Sequence, residues 1–349
     1  MDHRLGHAAW LGDRAFVRRC LIALALAALA FLLWRASSVL LLVFGAVVVA
    51  VVLRAAADLV ARRTPVPERW SLAVAGLAIL ALLALAALLF GSQIAAQGGR
   101  LVQQLPSTLQ SVMQQWGLAG SLDQMLQGRG SGLSGDILSR IGSLGMTVVG
   151  ALADLLLMVV AGAFLASDPR LYRRGLVKLF PPREHERVED ALLDAGRALR
   201  LWLAGKLATM ALVAVLTAAL LWLAGVPSPL ALGLLAGLAE FVTFVGPLVA
   251  GAIILIAALA KGTTTLIWAF VAVVAIQQLE SNVITPLVQR RAVDLPPAIA
   301  LFSVLAFGVL FGSLGLLFGV PLAVVAYVLV KKLYVRETLG EATRVPGEA

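Results

Sequence analysis

A single cysteine, Cys20, in a chain of 349 residues rules out an intrachain disulfide and a thiolate metal cluster, and leaves the redox compartment open. Histidine is nearly as scarce. His3, His7 and His185 all lie in polar flanks, which argues against a histidine-based metal site. Charged residues make up 13% of the chain, against about a quarter in ordinary soluble domains. The sequence also lacks a Ser/His/Asp set, a phosphate-binding glycine loop and zinc spacing, so it does not read as an enzyme. A nucleotide-driven pump would need a partner subunit.

What is there is apolar. With 61% hydrophobic residues and a mean hydropathy of +0.97, the chain reads as an all-α polytopic membrane protein whose first partner is the lipid bilayer. Its length accommodates about eight spans of ~20 residues and no separate soluble domain. The formal charge of +9 could suggest nucleic acid. The Lys and Arg residues, however, fall in the junctions between apolar runs, where positive-inside topology explains them and no nucleic-acid partner is expected.

Residues 1–90 read as a cytoplasmic tail followed by three membrane segments: Leu21 to Trp34, Val39 to Leu53, and Trp70 to Phe90. The first two are expected to form a membrane-retained hairpin, because a second apolar run follows the first at once. Residues 91–145 turn to Gln, Ser and Gly, with Leu101, Leu105, Leu109, Val112 and Trp116 at helical spacing; this reads as an amphipathic segment on the outer side. A fourth span, 146–166, contains Asp154. Ser167-Asp168-Pro169 then opens a charged cytoplasmic helical segment, 167–207, expected to lie along the interface before a fifth span, Ala208 to Ala224. The core of the chain is expected in 208–335, with a cytoplasmic tail in 336–349, so both termini are inside.

The C-terminal half is built from over-long segments. Leu230 to Ala260 would be ~46 Å as one helix, more than a ~30 Å hydrocarbon core allows, and Gly246-Pro247 supplies the expected break. Ile299 to Val330 is similarly interrupted near Gly312-Ser313. Such segments are either re-entrant or discontinuous helices around a transport site, or two tight hairpins. Gly233 and Gly237, Gly308 and Gly312, and Gly315 and Gly319 form small-xxx-small pairs that permit close helix packing.

Glu240 is the sharpest candidate. It lies about ten residues into an apolar segment, where an ionised carboxylate costs at least ~2.5 kcal/mol. It reads as a proton or cation site, or as a structural hydrogen bond to Thr243 or to a carbonyl freed at Gly246-Pro247. Gln277, Gln278, Glu280 and Asn282, ahead of Pro286, offer oxygens that could hold Na⁺, relay a proton, bind a polyol, or simply cap a helix. Asp154 raises the same question nearer the outer end of its span. Lys206 reads first as an anchor snorkelling to the interface, and second as a counter-ion for Glu240 or Glu280. No cofactor and no metal are expected; the coupling ion would be H⁺ or Na⁺.

Three motifs carry a family resemblance. Glu240-Phe-Val-Thr-Phe-Val-Gly-Pro247 looks like a Glu-x-Ile-Pro-Tyr-x-Gly-Pro signature. Gln277 to Pro286 with Leu295-Pro296-Pro297 looks like a Gln-x-x-Glu-x-Asn-x-x-x-Pro segment and its closing Leu-x-Pro. Gly308, Gly312, Gly315 and Pro321 match a terminal glycine ladder. In these respects the chain resembles the autoinducer-2 exporter family, the PerM-like permeases, across roughly Asp168 to Val335. It departs from the family pattern at Thr243, Lys206, Arg290 and Asp294, which puts substrate identity in question more than fold. The resemblance implies a secondary transporter in the bacterial inner membrane, assembled as a homo-oligomer with a pentamer among the options. Its cargo would be a small polar solute such as autoinducer-2, or a monovalent cation in Na⁺(Li⁺)/H⁺ antiport. A non-transporting membrane scaffold is the third reading, from a different class.

Overall fold

The computed structural model describes residues 6–67, 70–81, 150, 153–289, 295–343, 345 and 346. The outer Gln-rich segment, the rest of the third span and Asp294 lie outside the described residues. Among those described, every regular element is helical.

Helix α1 (Gly6–Arg35) and α2 (Ser37–Arg63) meet at one residue, Ala36. Helical hydrogen bonds run through it, from Ala36 N–H to Leu32 and from Leu40 N–H to Ala36. The two apolar runs therefore join at a bend rather than through the loop that a hairpin needs. Helix α3 (Trp70–Ala81) is short, and α4 (Ala153–Ser167) turns through 87° into α5 (Pro169–Val177). The Asp168 carboxylate accepts from Leu171 N–H at 3.1 Å and Pro169 takes the first helical position, so the local sequence starts α5 afresh.

Helix α6 (His185–Leu223) is the axis of the molecule. At 39 residues it is ~58 Å long, about twice a membrane core. The expected division into an interfacial helix and a separate fifth span does not occur, because no proline interrupts the chain between Pro182 and Pro227. The charged half is continuous with the apolar half, and Arg200 ties it to Asp58 of α2 at 2.7 Å.

Helices α7 (Pro229–Ala239) and α8 (Val245–Leu259) follow, at ~16 and ~22 Å each too short to cross a ~30 Å core alone. Helix α9 (Thr263–Leu279) continues through a wider π turn, Glu280–Ile284, into α10 (Thr285–Gln289). Helix α11 (Pro297–Leu329) ends in a second π segment, Val330–Arg336. Helix α11 is two helical arms that double back at Gly312, whose φ of 67° and ψ of −143° suit glycine alone. A Cβ built on Gly319 would lie 3.2 Å from the Cα of Val304, whereas fifteen residues of straight helix would separate them by ~22 Å.

By length and composition, four described stretches can cross a membrane: Ser37–Arg63, Pro182–Leu223, Thr263–Leu287 and Pro297–Arg336. The bent α4/α5 pair makes a fifth if counted as one span. An all-α membrane fold follows, while the number eight is not established by the described residues.

Packing radiates from α6. Its apolar half meets α7, α8 and α9 through Val213, Leu221, Ala236, Ile254 and Ile276. Its charged half meets α11 through Ala195, Ala198, Val324 and Val328. Leu199 and Leu203 join Val48 of α2, Met158 of α4 and Phe318 of α11. The α6–α7 contact is backbone against backbone: a Cβ on Gly233 would lie 2.6 Å from Ala218 N, and one on Gly237 would lie 2.5 Å from Met210 O. This antiparallel register brings the end of α7 beside Lys206.

Candidate functional site

A cleft of about 500 Å³ opens between α6, the α7–α8 break, the α9–α10 π turn and the start of α11. Its volume falls in the range of small-molecule sites, about 300–1,000 Å³. Lys206 and Thr209 face it from α6; Glu240 and Thr243 from the break and Pro247 from the first turn of α8; Gln277 from the end of α9, with Glu280 and Ser281 from the π turn.

Glu240 caps the C-terminal end of α7 and is 2% exposed. Its Oε1 accepts from Lys206 Nζ at 2.7 Å. Lys206 has a side-chain exposure of only 12%, so it is a counter-ion and not an anchor reaching for the interface. The reason is the α6–α7 register: with glycine at 233 and 237, the two helices approach closely enough for a lysine one turn before Met210 to reach the carboxylate. Trp202, one turn further back, packs edge-on against Phe241 at 6.3 Å and walls the pair.

Glu280 lies within electrostatic reach of both Glu240 and Lys206. One oxygen of each carboxylate, Glu240 Oε2 and Glu280 Oε2, is buried without a hydrogen-bond partner among the described residues. Two carboxylates and one ammonium leave the cluster one negative charge in excess when all three are ionised. A proton, a monovalent cation or a hydroxyl-rich solute would complement it.

One helical face, running from the end of α9 through the π turn into α10, presents the polar groups to the cleft. Gln277, Glu280, Ser281 and Thr285 line it, at steps of three, four and eight residues. Ser281 Oγ donates to Gln277 O at 2.9 Å, a carbonyl that also accepts from Glu280 N–H. Gln278 and Asn282 are exposed, bond to each other at 3.0 Å and do not line the cleft; Pro286 is exposed in α10. Asp154 is half-buried in α4 and also takes no part in the cleft.

The break itself is strained. Phe244 has φ 70° and ψ −51°, and Val245 N–H bonds to Thr243 O at 3.0 Å, a γ-turn of the positive-φ kind. Gly246 is pressed against α7, since a Cβ there would fall 1.7 Å from Ala239 O. Strained backbone of this sort persists where surrounding packing over-determines it.

Thr217 was not legible as a site residue. It is 1% exposed on α6, its Oγ1 has no partner among the described residues, and with Glu240 and Gln277 it lines a second cavity of about 20 Å³, the size of one water molecule. Trp202 and Thr209 were missed as well. The available signal was helical spacing: Trp202, Lys206, Thr209, Val213 and Thr217 recur every three or four residues on one face.

Helices broken around a buried, charged cleft define a multi-pass helical membrane protein. The chain matches the AI-2E family transporter profile over residues 21–335, and it belongs to that family. It is 25% identical over 166 residues to the Bacillus subtilis protein named "Putative transport protein YrrI", covering 48% of this chain and 47% of that one. It is 32% identical over 184 residues to a Mycobacterium tuberculosis protein of the same designation, MT0215, covering 51% and 49%. A second Bacillus subtilis protein so designated, YueF, is 23% identical over 191 residues, covering 54% and 51%. The chain thus spans about half the length of these curated relatives.

Proposed function

We propose that this protein is a secondary transporter that exports a small polar solute of autoinducer-2-like polyol chemistry through the Lys206/Glu240/Glu280 cleft, with proton influx as the driving reaction. One observation carries the reading. A buried ion pair and a second carboxylate, each acid with an unpartnered buried oxygen, share a cleft at the junction of two broken helices. Buried charge in a membrane is costly, and a fold that retains it at a helix break has the layout of a solute path. Glu240 and Glu280 would exchange the proton, Lys206 would hold Glu240 between cycles, and Gln277, Ser281 and Thr243 would offer hydrogen bonds to the solute. In this reading residues 208–335, with Lys206, are the transport core of a homo-oligomer in the bacterial plasma membrane, both termini cytoplasmic.

The excess negative charge of the cluster favours a second reading, Na⁺(Li⁺)/H⁺ antiport with no organic solute. Purified protein in liposomes loaded with a pH-sensitive dye separates the two. A Na⁺ or Li⁺ pulse that releases protons, lost in Glu240→Gln, supports antiport. A flat cation response with uptake of a labelled polyol under a proton gradient supports solute export. If folded Glu240→Gln and Glu280→Gln proteins match wild type in both assays, the cleft is not the path.

A further inference from the structure

Helix α5 carries a feature unrelated to the cleft. Its nine residues and the turn after it divide by helical angle into two faces. Leu171, Tyr172 and Leu176, with Leu179 and Phe180 in the turn, occupy one side; Arg170, Arg173, Arg174 and Lys178 flank the buried Val177 on the other. The apolar side is open: Leu171 is 62% exposed, Leu179 is 79% exposed, and a Cβ on Gly175 would meet nothing within 4 Å. The helix is nonetheless held in place. Val177 is buried, and Arg173 pairs with Glu189 of α6 at 3.0 Å. Arg170, Arg174 and Lys178 remain exposed, with no ion pair among the described residues.

Geometry selects what covers this face. The 87° turn from α4 puts α5 parallel to the bilayer plane when α4 runs along its normal. Four basic residues in ten forbid α5 from continuing the span, yet its exposed leucines disfavour water. An anionic leaflet satisfies both faces at once, acyl chains under the leucines and headgroups beside the basic arc.

We infer that α5 and its following turn, 169–180, form an interfacial anchor that selects anionic phospholipid headgroups in the leaflet at the end of α4. The selectivity comes from Arg170, Arg174 and Lys178 together, each worth roughly fivefold in preference for an anionic over a zwitterionic surface.

The test uses the full chain in nanodiscs. In a Cys20→Ser background, Leu179→Cys carries a bimane fluorophore, and the discs contain brominated phosphatidylglycerol or brominated phosphatidylcholine as quencher. The expected result is quenching by lipid bromine with a preference for phosphatidylglycerol on the order of a hundredfold, the product of the three contributions. That preference should fall stepwise in Arg174→Gln and reach about one in the Arg170→Gln/Arg174→Gln/Lys178→Gln protein. Melting temperature and elution volume confirm that each variant is folded; should the triple variant not fold, Arg174→Gln alone decides. A label quenched by aqueous iodide instead of lipid overturns the inference. So does one shielded from both, as a second copy or another protein would shield it, and so does a preference unchanged by the substitutions.

Discussion

Lys206→Met is the perturbation that asks most directly whether the ion pair at the cleft is a coupled unit. Glu240 is 2% exposed and its lysine partner has 12% side-chain exposure at 2.7 Å, so removing the ammonium leaves a buried carboxylate without its donor. Breaking a buried pair from one side costs about 3–5 kcal/mol, because the remaining charge keeps its desolvation penalty and loses its compensation. Glu240→Gln should cost a similar amount from the other side, by stranding Lys206. The double variant has no unpaired charge, so its cost should be far smaller than the sum, with a coupling energy of at least ~2 kcal/mol. Thermal unfolding of the four proteins in one detergent reads this as a melting temperature several degrees lower in each single variant, at roughly 2 °C per kcal/mol, and partly restored in the double. Single effects that add to within ~0.5 kcal/mol would refute the reasoning, since they would mean that each group is solvated independently through the cleft.

Gly246→Ala places a methyl 1.7 Å from Ala239 O and should cost at least about 3 kcal/mol, seen as loss of the monodisperse elution peak. Gly251→Ala, whose Cβ would meet only a Val273 methyl at 3.4 Å, should be neutral or stabilise by up to ~1 kcal/mol and serves as its control. At Phe244, where φ is 70°, glycine should be more stable than alanine by about 1 kcal/mol; the reverse order of melting temperatures would remove the strain argument for the α7–α8 break. Asp194, 1% exposed, accepts from both Arg197 and Lys332 and so fastens the C-terminal π segment to α6. Asp194→Asn should cost about 2–3 kcal/mol and raise hydrogen exchange selectively in residues 330–346, whereas exchange raised evenly over α6 would count against that link.

The features legible in the sequence are those that depend on one segment and its solvent. Apolar length against membrane thickness exposed the over-long segments, and the places where they give way, near Gly246-Pro247 and at Gly312, follow from backbone chemistry that neighbours do not alter. The N-cap at Asp168 was readable for the same reason. An acid in the middle of an apolar run marks Glu240 whatever surrounds it. Two readings failed where continuity across a boundary mattered: the first two apolar runs join at a bend, and the charged helix and fifth span are one α6. In both places no proline or loop separates the parts, and composition alone had suggested a division.

By itself, then, the sequence determined an all-α membrane protein, the residues at which its helices break, and the acid most costly to bury. Tertiary structure alone decided the company those residues keep. Lys206 stands 34 positions before Glu240, and only the close α6–α7 contact at Gly233 and Gly237 makes them partners. Within a run of similar polar residues, packing of one helical face against α6 and the α7–α8 break puts Gln277 and Glu280 in the cleft and leaves Gln278 and Asn282 outside. Burial across a bilayer is a property of one chain segment, but which neighbour a side chain meets depends on the register between helices.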